Sequence, residues 1–530
     1  MRVGDVSDER YVAIPDVLLE FRGRDNVIEA RSSASGAIYA DIPPGDYNVV
    51  LAKEGYGSKL VDMRVIEGEP YQFRMLSDSL CGYMGPRCVR SGEHSEFRVH
   101  SVEEYGLELW RYGKEKEFVR RIGTFDEHGP RATMQITPDG DYTQTGIEWN
   151  KHGYGATILN QSIIAPEQSG LYYLHARGKS GAFFTFPWVV APSEPTAKLA
   201  VLASDITWNA YNNFGGRSNY IHADRLPSTP TVNARLELKR YTDPERGSYG
   251  SDSYAPVSLD RPQPFNHIDE TEQLTDPIAG RQGCHLAAAE WRLLGWLERN
   301  GFDYDLYGET QFHFDRFQLD DYQSLILSTH PEYWSNSMYR TLKAWVFERG
   351  GRLIYLGGNG LNCEVEFLDE HRIVYQNTRF TLAEIDNNPD IDSRFAVRQE
   401  SEANLLGVVF SFAGIMTAAP YKVLDANHWC FEGTGLTSGH LFGRNSLHMR
   451  IPGGASGHET DKISANAPAG VRLLAKGTNP DNGGAEMVQF DTPDGGGVFS
   501  VGSITWPACV LVDEHVSTIT ANVIRRFCDG

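Results

Sequence analysis

The stretch "VVAPSEPTAK", residues 189–198, divides the chain into two parts that bury their apolar residues differently. Its two prolines fix φ and remove backbone donors, so neither a helix nor a central strand crosses it. Before it, short runs alternate apolar and polar residues with a period of two, the mark of strands buried on one face. After it, continuous apolar runs alternate with segments of helical period. One packing layer does not satisfy both patterns, so separate domains are expected.

Residues 1–76 read as a small β-sandwich, from runs such as "VLLEF", "GDYNVVLAKEG" and "LVDMRVI" between Pro/Gly turns. "SGAIYADIPPGDYNVVLAKEGY" resembles the regulatory-like β-sandwich found beside carboxypeptidases, which usually carries no chemistry. Residues 77–195 read as a second sandwich, through "HSEFRVHS", "GLELWRYG", "GLYYLHARG" and "GAFFTFPWVV". In residues 196–530, "KLAVLAS", "FDYDLYGE", "YQSLILS", "RLIYLGG" and "GGGVFSVGS" are strand candidates. Helices are expected at 284–301, through Leu286, Ala289, Leu293 and Leu297, at 336–349, through Met338, Leu342, Trp345 and Val346, and at 514–527. This order predicts an α/β domain with a mostly parallel core sheet, glutamine-amidotransferase-like, carrying a β-rich insertion around 370–495.

A formal charge of −21 argues against nucleic acid and anionic membranes as partners. No run approaches the roughly 18 apolar residues of a membrane span. The N-terminal "MRVGDVSDERYVAIPD" lacks the pattern of a secretory signal, and the seven cysteines are scattered without zinc-site spacing. A reduced, cytoplasmic setting is the expectation.

Ligands of open parallel sheets bind beyond the C-terminal ends of the strands. "SDITWNAYNNFGGRSNY" follows 198–203, "HPEYW" follows 323–329, "GGNGLNCE" follows 352–356, and "SITWP" follows 497–502. Polar groups wrapped in aromatics are thus expected at four strand ends, as in a small-molecule pocket. Trp208, Asn212, Phe214, Trp334 and Trp506 are its candidate walls. Each of these residues has a packing role as the plainer alternative. No G-x-S-x-G, G-x-C-x-G or H-E-x-x-H occurs, and Thr329 or Ser328 would be a weak nucleophile. Cys284-His285 follows no strand and is set aside as a catalytic pair. The residues alone lead to an α/β hydrolase-like enzyme of unstated mechanism.

"ITWNAYNNFGGRSNY", "VSLDRPQPF", "LSTHPEYWS", "GGRLIYLGGNG" and "HWCFEGTG" together resemble the C-terminal region of the N,N-dimethylformamidase large (beta) subunit family. "CGYMGPRCVRSGEHSEFRVHS" resembles the region before it, so the likeness covers roughly residues 77–530. It implies one non-haem Fe³⁺ held by two tyrosinates and a glutamate, in an enzyme that hydrolyses small N-substituted amides. Carried onto this chain, the glutamate is Glu332 and the first tyrosine Tyr211. The second falls in "GSYGSDSYAPVSLDRP", where spacing favours Tyr254 over Tyr249. His330 and Asn359 match groups that position water and substrate, with Glu332 shared between metal and catalysis. Hard anionic oxygens suit a hard trivalent cation. The resemblance also implies an oligomer, with or without a small accessory subunit. The competing readings are a metal-free α/β hydrolase using His330 and Glu332, and a non-catalytic β-sandwich binding protein.

Overall fold

The computed structural model describes residues 1–529 except 25, 127–133, 136, 148–160, 233–250, 252, 269–284 and 378–390. Near the N-terminus, Leu18–Arg22, Val27–Arg31, Gly45–Lys53 and Gly57–Val65 form one antiparallel sheet, and Arg2–Ser7 lies between Ala37–Tyr39 and Tyr71–Arg74 in another. Inward residues such as Leu19, Phe21, Val49 and Leu51 alternate with mostly half-buried ones and share one core. A second core gathers Phe97, Leu107, Leu174, Phe186 and Trp188 from the strands between residues 81 and 191.

The third and largest core surrounds a nine-stranded sheet. Asp305–Gly308, Leu199–Ala203, Ser324–Thr329, Arg352–Gly357 and Gly497–Ser500 run parallel in that spatial order. Glu486–Asp491, Arg472–Gly477, Tyr421–Val423 and Leu441–Phe442 then continue the sheet antiparallel. This corrects the expected fold class. The sheet is mixed, strands take up 37% of the described residues against 16% for helices, and the domain is not a glutamine-amidotransferase-like α/β domain. The reason is local. The segment 492–496, "TPDGG", is a tight turn, so the 486–491 strand returns beside 497–500 without a crossover helix. Strands expected in an insertion therefore extend the main sheet.

The helices form where the period required. In Asn336–Glu348, Met338, Leu342, Trp345 and Val346 are buried, Ser335 caps the start by accepting from the Met338 amide, and Gly350 turns the chain at φ +75°. Ala287–Arg299 packs against the strands through Leu293, Leu294 and Leu297. Among the described residues no helix is long and apolar enough to cross a membrane.

The first 76 residues meet the large domain at several points, and one of them is a fully buried guanidinium. The Arg74 guanidinium donates to the carbonyls of Asp8 (2.8 Å), Gly140 (3.0 Å) and Gly215 (2.9 Å), and stacks 4.4 Å from the Tyr142 ring centroid. Gly215 begins the return of the loop that carries Tyr211.

Candidate functional site

The strand Leu199–Ala203 leads directly into a short helix, Asp205–Ala210, and then into a loop that doubles back. Two glycines make the reversal. Gly215 and Gly216 have φ of +98° and +97°, and a Cβ on them would lie 2.3 Å from Thr143 and from Tyr11 respectively. The Asn219 amide closes the loop on the Ala210 carbonyl at 2.8 Å. The reversal sets Tyr220 against Tyr211, with ring centroids 4.4 Å apart.

The strand Ser324–Thr329 delivers the second part. Thr329 has φ +65°, a costly conformation for a β-branched residue, and it turns the chain so that His330 and Glu332 are fully buried. The Glu332 amide donates to Thr207 Oγ1 at 3.1 Å, fixing this turn to the short helix. The Tyr220 hydroxyl lies 2.7 Å from the Tyr211 hydroxyl and 2.8 Å from Glu332 Oε2, and Tyr211 lies 3.3 Å from the same carboxylate oxygen. The Tyr333 hydroxyl touches Tyr220, and Arg394 Nη2 reaches Glu332 Oε1 at 3.3 Å. Burial holds the Glu332 carboxyl above its ordinary range; His330 and Arg394 oppose that shift and Glu459 adds to it.

Strand Arg352–Gly357 brings Asn359, again at positive φ, +52°. Its side-chain amide donates to Glu459 Oε2 at 2.8 Å, and its backbone amide to Asp461 Oδ1 at 2.8 Å. His330 Nε2 sits between two carboxylates, 3.2 Å from Glu332 Oε2 and 3.2 Å from Glu459 Oε2. Burial works to lower the His330 pKa, but Glu332, Glu459 and Asp461 outweigh it and the net shift is upward. Glu459 moves the other way. Burial would raise its carboxyl, yet His330 and Asn359 hold it down at about 2. The surroundings thus favour the proton on His330 rather than on Glu459. The Glu459 side chain is 17% exposed, against 2% for Glu332, so the cluster reaches solvent on the Glu459 side.

The structure therefore brings together Tyr211, His330, Glu332 and Asn359. It does not bring Tyr254 to them: that hydroxyl donates to the Asn377 carbonyl at 2.7 Å. Tyr249 lies outside the described residues. The expected aromatic walls are engaged elsewhere. Trp208 donates to Glu290 and Trp334 to Glu309, each at 2.8 Å, and Trp506 donates to Thr520 at 3.1 Å. Phe214 packs in the second core beside Tyr142, and Asn212 accepts from the Phe214 amide. Indole N–H groups buried this way are packing contacts satisfied by an inner acceptor.

A family described as N,N-dimethylformamidase beta subunit-like, C-terminal, matches residues 101–516. The chain belongs to that family. A relative named N,N-dimethylformamidase beta subunit from Paracoccus aminophilus is 27% identical, over 94% of this chain and 74% of its own length. One of the same name from an Alcaligenes species is 27% identical over 45% of this chain and 36% of its own. A solved DUF3823 family protein from Bacteroides ovatus matches 35% of this chain and 98% of its own at 9% identity, with a TM-score of 0.13, too slight a likeness to bear on the fold.

For this member of the N,N-dimethylformamidase beta subunit-like family, sequence reasoning missed Tyr220, Glu459, Asp461 and His285. Tyr220 was in view in "GGRSNY", and the double glycine was the sign of a reversal. Glu459 lies in "SGHETDK", inside a region without clear periodicity, and nothing local marked it. His285 opens a helix rather than closing a strand, yet its ring lies 4.6 Å from Tyr211 and 5.4 Å from His330.

Among the described residues no group of three His, Cys, Asp or Glu side chains could hold a metal ion. The convergent oxygens here are two phenols and one carboxylate. All three are buried, share one point, and are the hard donors that a hard cation takes. The donor set fits a trivalent metal with two tyrosinates and a glutamate.

Proposed function

We propose that this protein hydrolyses the C–N bond of a small N-substituted amide, N,N-dimethylformamide-like, at the cluster around Glu332. The observation that carries the reading is the meeting of Tyr211, Tyr220 and Glu332 oxygens within 2.7–3.3 Å, beside a His330–Glu459 ion pair. The names of the two relatives support it.

Tyr211, Tyr220 and Glu332 would hold a ferric ion, with Tyr220 in the place first assigned to Tyr254. When bound, that ion supplies a Lewis acid for an amide carbonyl and for water. Three anionic donors would balance its charge, so no net charge need be buried.

The chain's own groups supply the proton chemistry. Glu459, ionised and nearest to solvent, takes a proton from the attacking water. His330, held as the cation between two carboxylates, gives a proton to the departing amine. A dialkylamide ion is a very poor leaving group, so the C–N bond breaks only as the nitrogen is protonated. Glu459 then holds the water proton 3.2 Å from a neutral His330 and returns it, so the pair is restored after each turnover. Asn359 has one amide hydrogen committed to Glu459 and a second free to meet the developing oxyanion. Its backbone, held by Asp461, fixes where that hydrogen points.

The homo-oligomer and the small accessory subunit remain part of the proposal, since both relatives are named as subunits, and the cytoplasmic setting remains part of it on the scattered cysteines alone. Metal analysis with an amide-hydrolysis assay tests the reading. Stoichiometric iron and amine release support it, and an iron-free, fully active protein favours the metal-free hydrolase.

A further inference from the structure

His285 is buried, and neither of its ring nitrogens has a partner among the described residues. Its ring is wedged between three others. It lies 4.6 Å from Tyr211 at 70°, 5.4 Å from His330 at 66°, and 5.0 Å from His458 at 89°. These are edge-to-face packings, which seat the ring without satisfying its nitrogens. Of the neighbouring histidines, His458 Nδ1 lies 3.1 Å from His448 Nε2, and His330 Nε2 lies within 3.2 Å of each of two carboxylates, which His285 does not. A buried donor and a buried acceptor left unpaired cost stability, and folded proteins rarely keep both without a ligand or an ordered water to fill them.

We propose that His285 is a further catalytic residue, whose ring N–H binds the carbonyl oxygen of the amide. The proposal rests on the amide-hydrolase reading above. A neutral imidazole presents one donor and one acceptor. A tertiary amide has no N–H and can only accept, through its carbonyl oxygen. The ring's donor therefore meets the amide oxygen from beside Tyr211 and His330, while its other nitrogen takes no part in the attack of water.

The test compares His285→Phe and His285→Gln with the wild type, reading the melting temperature of the metal-free proteins and kcat on N,N-dimethylformamide. A ring that binds substrate is not needed for the fold, so Phe, which removes two unpaired polar atoms, is expected to melt at or above the wild-type temperature. Its kcat is expected to fall about 100-fold. His285→Gln keeps a donor and an acceptor and is expected to recover part of that loss. A His285→Phe variant with wild-type kcat overturns the assignment. So does one that melts several degrees lower while His285→Gln does not, because that pattern marks a structural hydrogen bond. A wild type that releases no amine from any small amide removes the amide-hydrolase reading and His285's role with it, an outcome distinct from an active wild type with an equally active Phe variant.

Discussion

The hydroxyl of Tyr220 lies 2.7 Å from the hydroxyl of Tyr211, and both reach the same oxygen of Glu332. Three acidic oxygens converge although they come from two segments more than a hundred residues apart in sequence. The reversal at Gly215-Gly216 brings the two phenols together, and the strained turn at Thr329 supplies the carboxylate.

The first prediction follows from that convergence. Tyr220→Phe removes only a hydroxyl, so the fold is expected to survive while the visible tyrosinate band weakens or shifts and bound iron falls. Tyr254→Phe is expected to leave both unchanged, because its hydroxyl serves the Asn377 carbonyl. Absorption spectra and iron per chain of the two variants decide between them. The opposite pattern would restore Tyr254 as the ligand.

Glu459→Gln is expected to keep iron and colour and to lose rate by about 100-fold or more, the ordinary range for a missing general base. The loss is expected in kcat with little change in KM, since proton transfer belongs to the transition state. A variant that arrives without metal would show that Glu459 is a ligand.

A third expectation concerns stability rather than rate. Glu290 is fully buried under Trp208, and burial, aided by Asp205, raises its carboxyl to about 8. The carboxyl is therefore neutral in the folded protein at pH 7 but ionised in the unfolded chain above the ordinary 4.5. Its stabilising contribution is full below that value and is lost as pH rises towards 8. Glu290→Gln removes the titration, so the wild type is expected to lose ground to the variant by about 1.4 kcal/mol for each pH unit crossed within this window. Denaturation midpoints at pH 5 and pH 8 measure it. A difference that does not change with pH contradicts the assignment.

Arg74 links the N-terminal β module to the loop of Tyr211 and Tyr220 through the Gly215 carbonyl. Arg74→Met leaves three buried carbonyls without their charged donor, with an expected loss of about 2–3 kcal/mol in stability. Iron retention is expected to fall with it, although Arg74 lies outside the cluster. Calorimetry and metal content of the variant check both, and unchanged iron binding would make the module a bystander to the site.

Much of the site was legible before the fold was known, and the sheet was not. His330, Glu332 and Asn359 were found because strand ends are where parallel strands deliver side chains, and Tyr211 through the family likeness. Tyr220 was missed because a phenol nine residues after another meets it only by a full loop reversal, which spacing alone does not measure. Glu459 was hidden because short antiparallel strands with glycine-rich turns leave little periodicity. The same weakness produced the wrong fold class: continuous apolar runs at 199–203, 324–329 and 352–357 are easily read, while 421–423 and 472–477 are too short or too mixed to reveal that they complete the same sheet. Trp208, Trp334 and Trp506 looked like pocket walls because they flank strand ends, but each indole already had an inner acceptor.

The most direct measurement is dimethylamine release from N,N-dimethylformamide by the protein isolated from its native cells, so that any companion chain stays with it, beside its Glu332→Gln variant expressed in the same way. The account predicts steady amine release by the wild type and none above background by the variant, with iron present in the first and absent from the second. A Glu332→Gln protein that releases amine at the wild-type rate, or a wild type that releases none, would contradict it.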